Sequence, residues 1–492
     1  MRETKKKIQP DSAAIPEYTA VFAGPDFPLS KRGIAAIHDA SLEVLANTGF
    51  RFTSETALQI FRSHGSRVDG QRVYFTERQI RRALTSIPKS FTILARNPKY
   101  NILIKRGVSS FGLGRGAVNM IRSDGSIRRG TLEDVITASK LCQMMDELEH
   151  WGPLVYPTDV EPDNVYLAAW QAMVKYVDKP YLYASRHHID FVALSYGTTR
   201  EEMIRRSDFT RSCGQSTVVV QSPLSMFSED CEDLIEYARC GIACNVASMP
   251  VAGTTGPCTL SGLVVQQNCE NLAVMVFAQL VRPGCPIYYG AIGGRADMKS
   301  LTPRFGSAEA RIIGRAGVQM AHSYGLATRG GAGITDAPVC DFQAGAQAML
   351  HILSVLEKGP EFMPSCGLLG SYVGASLAKL VLDAELIAQA KRFLTPMNPT
   401  RERLAVDVIA EVGPGGYYIE HPHTLENFRS EFFVDSIFQS LTYEQWGASG
   451  RKDAVQLAHE KAQALIEAYQ RPPIDQGLES EIDAFVAHHW AK

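Results

Sequence analysis

Residues Met249–Gly290 read MPVAGTTGPCTLSGLVVQQNCENLAVMVFAQLVRPGCPIYYG, and with their flanks they hold one strand, helix, strand unit. The runs Asn245–Met249 and Pro286–Ala291 are short, apolar or β-branched, and bounded by turn residues, the pattern of strands buried on both faces. Between them Leu263–Val281 reads as a helix. Two strands joined by a helix are the repeating unit of an α/β fold.

The same unit recurs outward from this stretch. Eight such runs follow one another: Leu154–Tyr156, Tyr181–Ser185, Thr217–Gln221, Asn245–Met249, Pro286–Ala291, Ala327–Gly331, Phe362–Gly367 and Tyr417–Glu420. Helical stretches separate them, among them Asp230–Cys240 and a helix capped by Asp341 and stopped by Gly359. This repetition predicts an α/β fold, a (β/α)8 TIM barrel of about 250 residues or somewhat more. An open doubly wound sheet reads similarly strand by strand, so the count alone does not decide.

Upstream, residues 1–30 are polar and read as an arm. Ile34, Ile37, Ala40, Ser41, Val44 and Leu45 form a one-sided helical stripe that Gly49 would terminate. A helix over Glu77–Leu84, a strand over Phe91–Ala95 and an SDGS hairpin at Ser123–Ser126 extend this into an N-terminal α+β extension over 31–149. The barrel is expected over 150–435 and charged C-terminal helices over 436–492.

Composition narrows the function. The 492 residues are 45% hydrophobic and carry a net charge of −2, which gives no reason to expect nucleic acid as a partner. The apolar run Leu272–Ala278 is far short of the roughly 20 residues a membrane span needs. The opening MRETKKKIQPDS lacks the apolar core of a secretory signal, so a cytoplasmic location is expected. Ten cysteines occur without a C-x-x-C pair, and Cys240 and Cys244 have no third ligand near in sequence; core packing is favoured over zinc, and neither disulfides nor a metal is expected.

The glycine-punctuated segments Met249–Gly290 and Ala327–Ala337 (ATRGGAGITDA) resemble the trimethylamine:corrinoid methyltransferase family. So do Ile37–Gly49 (IHDASLEVLANTG), Arg129–Asp134 (RGTLED), Asp341–Ala344 (DFQA) and His421–Phe428 (HPHTLENF), so that the likeness spans nearly the whole chain. The resemblance implies a TIM-barrel enzyme that passes a methyl group from a methylated amine to the cobalt of a separate corrinoid protein, and it favours the closed barrel. No D-x-H-x-x-G corrinoid-binding signature is present, so the chain is expected to bind no cofactor itself, the corrinoid (cobalamin) coming with a partner protein. Founding family members carry pyrrolysine. This chain has none, and Gly330–Asp336 offers only Gly, Ala, Ile, Thr and Asp. That departure points to the branch acting on glycine betaine and related quaternary amines, whose leaving group is already neutral. A zinc-dependent barrel methyltransferase and a noncatalytic quaternary-amine sensor are the alternatives, and a homo-oligomer is expected.

In a barrel, function gathers where strands end. Gln221, Met249, Tyr288, Tyr289, Arg329–Asp336, Cys366 and the Gly413–His423 loop fall there. Quaternary ammonium has no N–H and is held by aromatic faces and a nearby carboxylate. Tyr288, Tyr289, Tyr417, Tyr418 and Gln221 are therefore candidate binding residues, with only one tyrosine of each adjacent pair facing inward. Glu420 and Asp336 are the acidic candidates, each equally able to cap a helix, and Arg329 suits a substrate carboxylate or a structural ion pair. Asp336, Gly330 and Gly331 are the candidate catalytic positions. Gly253, Gly293, Gly294 and Gly333 would let a flat corrin ring approach the main chain, and His421 and His423 would line the same surface. The GGAG run lacks the Lys and Ser/Thr of a phosphate loop.

Overall fold

The computed structural model describes residues 27–181, 185–206, 208–357 and 359–490, so most of the arm expected over 1–30 lies outside the described residues. At its centre is a parallel sheet of six strands: β1 (Ser110–Leu113), β2 (Gln215–Val219), β3 (Ala243–Ala247), β4 (Ile287–Gly290), β5 (Thr328–Arg329) and β6 (Phe362–Cys366). Their order is β2-β3-β4-β5-β6-β1, and parallel bridges continue past β1 from Gly112 to His150 and from Trp151 to Tyr181. Strands β3, β4 and β6 are buried along their whole length, which is why apolar residues dominate them without strict alternation.

Helices α1 (Ser228–Cys240), α2 (Leu260–Val281), α3 (Ala308–Ser323), α4 (Phe342–Leu356) and α5 (Leu377–Phe393) follow the strands and cover one face. Asp341 caps α4 through the amide of Ala344, as the sequence predicts. Helix α2 is buried over most of its length because it is sandwiched between the sheet and the N-terminal helices Lys31–Asn47 and Glu77–Ser86. Its few amides clamp strand β4: Asn271 accepts from Gly290 N at 2.7 Å and donates to Gly290 O, while Gln267 donates to Ile292 O at 2.7 Å. Gly290 is obligatory there, since a Cβ would stand 1.9 Å from the Val246 carbonyl oxygen.

Several elements expected in 31–149 are present. The first helix is Lys31–Asn47, Gly49 follows at φ 73°, and Asn119–Ile121 pairs with Ile127–Arg129 across the SDGS turn. The hairpin Ser90–Ile93 with Ile102–Lys105 has a larger role than the sequence conveys. Phe91, Ile93, Ile102 and Ile104 pack with Ala243, Tyr288, Ala327 and Phe362, so the hairpin plugs the N-terminal end of the sheet's concave face.

Two expected strands are misplaced. Tyr417–Glu420 is an exposed turn before a helix and joins no sheet; Ile419 and Tyr417 face solvent, and no neighbouring strand satisfies the backbone. The partner of β6 is instead β1, with Phe362 opposite Ser110. Leu154–Tyr156 gives only a bridge from Val155 to Ala117, and the sheet contact in that region is made by His150 and Trp151. The sheet therefore extends to both sides of residue 150.

Candidate functional site

Register decides which side chains meet. In a parallel ladder, paired residues share a face, so the pairs Thr217↔Asn245 and Asn245↔Tyr288 point together, as do Gly290↔Arg329 and Arg329↔Phe362. That face is the concave one. Tyr288 stacks on Phe91 and approaches Phe362, and the His150 ring lies 4.0 Å from that of Phe362.

Arg329 dominates this face. It is buried, it makes one long hydrogen bond to the Met249 sulfur at 3.9 Å, its Nε has no hydrogen-bond partner, and among the described residues no carboxylate forms an ion pair with it. Burial lowers its pKa, the nearby Tyr372 opposes that, and Arg115 from the loop after β1 lowers it further. A buried guanidinium without a counter-ion is costly, so this one is poised for an anion that comes from outside the fold. Further polar groups with capacity to spare stand on the same concave face, Gln215 toward its N-terminal end. Gln215, inward at the start of β2, has neither amide atom hydrogen-bonded, and the Tyr288 hydroxyl lies buried beside Asn245. Asn245 itself is held by Thr217 Oγ1 and by its donation to Ser216 O.

The roof is apolar. Val251, Ile292, Phe305 and Ile334 cluster with Met249 and Tyr372, whose ring meets Phe305 edge-on at 5.6 Å. Tyr372 sits in the loop after β6 at φ 80°, next to Ser371 at φ 54° and a short way past Ser365 at φ 107°. Two consecutive non-glycine residues in left-handed backbone in this loop, with Ser365 in the same region of φ near the end of β6, mark a conformation that the surrounding packing enforces. Asp336 does much of that work. It accepts from Ser371 Oγ at 2.6 Å, Gly306 N at 2.7 Å and Arg304 Nε at 3.1 Å, so its charge is already balanced within the protein.

The other expected site residues fall in several places. Of the Tyr288/Tyr289 pair, Tyr288 faces inward, whereas Tyr289 faces α2 and donates to Asn268 Oδ1 at 3.2 Å. Gln221 is tied to Asp230 and to the Phe227 amide, at the start of α1. Gly293 and Gly294 are buried against Ile313 and Phe305, and Gly331 against Ile334 and His351, so none of them presents main chain to a corrin ring. Gly330 is likewise buried, beside Pro360. Gly333 takes φ 67° with Asp383 where a Cβ would go, and Lys379 donates to its carbonyl at 3.0 Å. Only Gly253 is exposed, in a turn at φ 88°.

Tyr417, Tyr418, Glu420, His421 and His423 stand apart from the concave face. Their segment leaves the C-terminal end of α5, where Lys391 sits over Phe111 and beside Glu149, at the N-terminal edge of the sheet. His421 caps helix Pro422–Glu431 by accepting from His423 N and lies 3.4 Å from Glu411. Gln215, Asn245 and His150 were not singled out by sequence reasoning. The available signal was a polar residue standing at an inward position of a buried strand.

His150 has a pH consequence. Full burial pushes its pKa down from 6.5 to about 3. An unfolded chain binds this proton as pH falls through 6.5 and the folded chain only near 3, so stability drains away progressively across that window as the solution is acidified. The variant His150→Leu is expected to flatten the stability-against-pH curve over that range, measured by denaturant unfolding. An unchanged slope would place the acid sensitivity elsewhere.

Comparison with known proteins agrees with the resemblance. The family model described as trimethylamine methyltransferase (MTTB) matches residues 2–492. A glycine betaine methyltransferase of Desulfitobacterium hafniense (strain Y51) is 30% identical over 468 residues, 93% of this chain and 96% of that protein. The trimethylamine methyltransferase MttB of D. hafniense (strain DSM 10664 / DCB-2) is 29% identical over 471 residues, 93% and 92% of the two chains. Among solved structures, the Methanosarcina barkeri monomethylamine methyltransferase (MtmB) superposes with a TM-score of 0.51 at 10% identity, over 93% of this chain and 90% of that one, a likeness of fold.

Proposed function

The chain belongs to the trimethylamine methyltransferase family, and from that premise we propose that it takes a methyl group from a quaternary amine bearing a carboxylate, glycine betaine or a related betaine, and delivers it to Co(I) of a corrinoid on a separate protein. The observation that carries this reading is Arg329, a buried cation that lacks a protein carboxylate on the concave face. A betaine brings the missing anion, and its carboxylate would take the bidentate pair that a guanidinium offers. Tyr288 and Tyr372, both close enough to act on the charge of Arg329, would flank the trimethylammonium end.

Such a site has little proton chemistry to do. Reduced cobalt supplies the nucleophile; the C–N bond breaks as the Co–C bond forms, and the leaving dimethylamino acid departs as a neutral amine. The protein's share is to fix the substrate by its carboxylate, aim one methyl outward and exclude water beneath the roof of Tyr372 and Phe305. We also take the sheet to close as an eight-stranded barrel through the strands at His150–Trp151 and Tyr181, with the corrinoid partner docking at the C-terminal ends of the strands. Asp336 is then a residue that positions the Tyr372 loop, not the counter-charge of the ammonium.

The test is calorimetric titration of the chain with glycine betaine and with choline, which share the trimethylammonium head and differ in the carboxylate. Choline is expected to bind about 30-fold or more weaker, corresponding to roughly 2 kcal/mol or more for an unpaired buried guanidinium. Equal affinities would remove Arg329 from recognition.

A further inference from the structure

Just over half of the exposed large apolar side chains among the described residues lie between Phe393 and Tyr443, in roughly a tenth of the chain. This segment contains helices α6 (Val406–Val412) and α7 (Pro422–Glu431), and neither has a single buried residue. Its polar groups are satisfied internally. Arg403 pairs with Glu431, Arg392 donates to Glu431 O at 2.7 Å, and Thr424 donates to Tyr418 O at 2.6 Å. It is also anchored at its far end, where Ser436 N donates to Glu385 at 3.0 Å. The segment is thus a built arm whose polar side holds it together while Phe393, Met397, Tyr417, Ile419, Phe432 and Val434, each at least 67% exposed, are left in solvent.

We propose that this arm is the interface through which two copies of the chain associate. Large apolar residues each present on the order of 100–200 Å², so the arm offers an area comparable to the roughly 800 Å² per partner of a stable complex, and more than the largest patch of an ordinary monomer. Aliphatic and aromatic composition of this kind suits a permanent partner, because exposing it again at every dissociation would be costly. A second copy carries the same apolar arm, and a two-fold axis sets the one arm against the other, apolar surface meeting apolar surface. The arm roots at the N-terminal edge of the sheet, beside Glu149 and Phe111, and at its far end Phe438 lines a cleft with Asp341 and Phe342 at the start of α4. This inference stands independently of the proposed reaction.

Sedimentation velocity of the full chain at micromolar concentration tests it, beside a variant carrying Met397→Glu, Ile419→Glu and Val434→Glu. The parent is expected to sediment as a dimer or a multiple of one, and the variant as a folded monomer with unchanged circular dichroism. A monomeric parent, including one that assembles only when a corrinoid protein is added, overturns the proposal, as does a variant that assembles like the parent. Should the variant unfold, hydrogen exchange of the parent decides: amides of 393–443 are expected to gain protection with concentration, and concentration-independent exchange there overturns it.

Discussion

Replacing Arg329 with methionine is expected to lower kcat/KM for a betaine by about 30-fold to several-thousand-fold, the equivalent of the roughly 2–5 kcal/mol lost when one partner of a buried charge pair is truncated. The same change should leave the protein as stable as before or more so. In the free protein the guanidinium is buried with one long hydrogen bond, to the Met249 sulfur, so folding bears its desolvation without an ion pair in return. Most buried arginines behave in the opposite way, their removal stranding a carboxylate. Steady-state kinetics and thermal unfolding on one preparation measure both halves. Arg329→Lys, which keeps the charge and loses the planar fork, should fall between parent and Met variant in activity. Full activity in Arg329→Met, or a large fall in its melting temperature, would show that this arginine serves the fold.

The second large effect lies outside the concave face. Lys379 and Asp383 are one helical turn apart on α5, both fully buried and ion-paired; Asp383 also accepts from Gly367 N at 2.8 Å, and Lys379 reaches Gly333 O. Burial pushes the Asp383 carboxyl up, while the Lys379 ammonium opposes it. Lys379→Met strands that carboxylate and is expected to destabilise the protein by about 3–5 kcal/mol, whereas Lys379→Met with Asp383→Leu should recover most of the loss, because a buried pair is seldom better than well-packed apolar residues. Denaturant unfolding of the two variants measures this. A double variant as unstable as the single one would mean that the pair itself, through the Gly333 carbonyl and the Gly367 amide, is what fixes the loops on either side of β6.

The central βαβ unit was legible because strands β3 and β4 are buried on both faces and α2 is enclosed, so each is rich in apolar residues. Tyr417–Glu420 has the same β-rich composition, but composition records only that a segment wants burial. In the strands burial comes from the sheet, and in the arm the same residues remain exposed. Strand β1 was hidden by the opposite effect. Its sequence SFGL looks like a turn because Gly112 must make room for the His150 ring, a contact between residues far apart in the chain. Within the site, alternation left two choices for Tyr288 and Tyr289, and register settled them. Arg329 was named as a carboxylate ligand or an ion-pair member, and no sequence feature distinguishes these, since the answer depends on whether any acid is folded near it. Glycines read as a smooth corrin-facing surface are instead places where another chain segment presses close, as Asp383 does on Gly333.

The central claim is tested most directly by mixing the purified chain with a reduced corrinoid protein and following the cobalt(I) absorbance on adding glycine betaine, other betaines, choline or trimethylamine. Consumption of cobalt(I) with a carboxylate-bearing quaternary amine, matched by an equal amount of the demethylated tertiary amine, is the predicted result. Trimethylamine should give negligible transfer, because its unprotonated form would have to expel an amide anion. Transfer from trimethylamine at a rate equal to or above that of every betaine, or betaine binding with no loss of cobalt(I), would contradict the account.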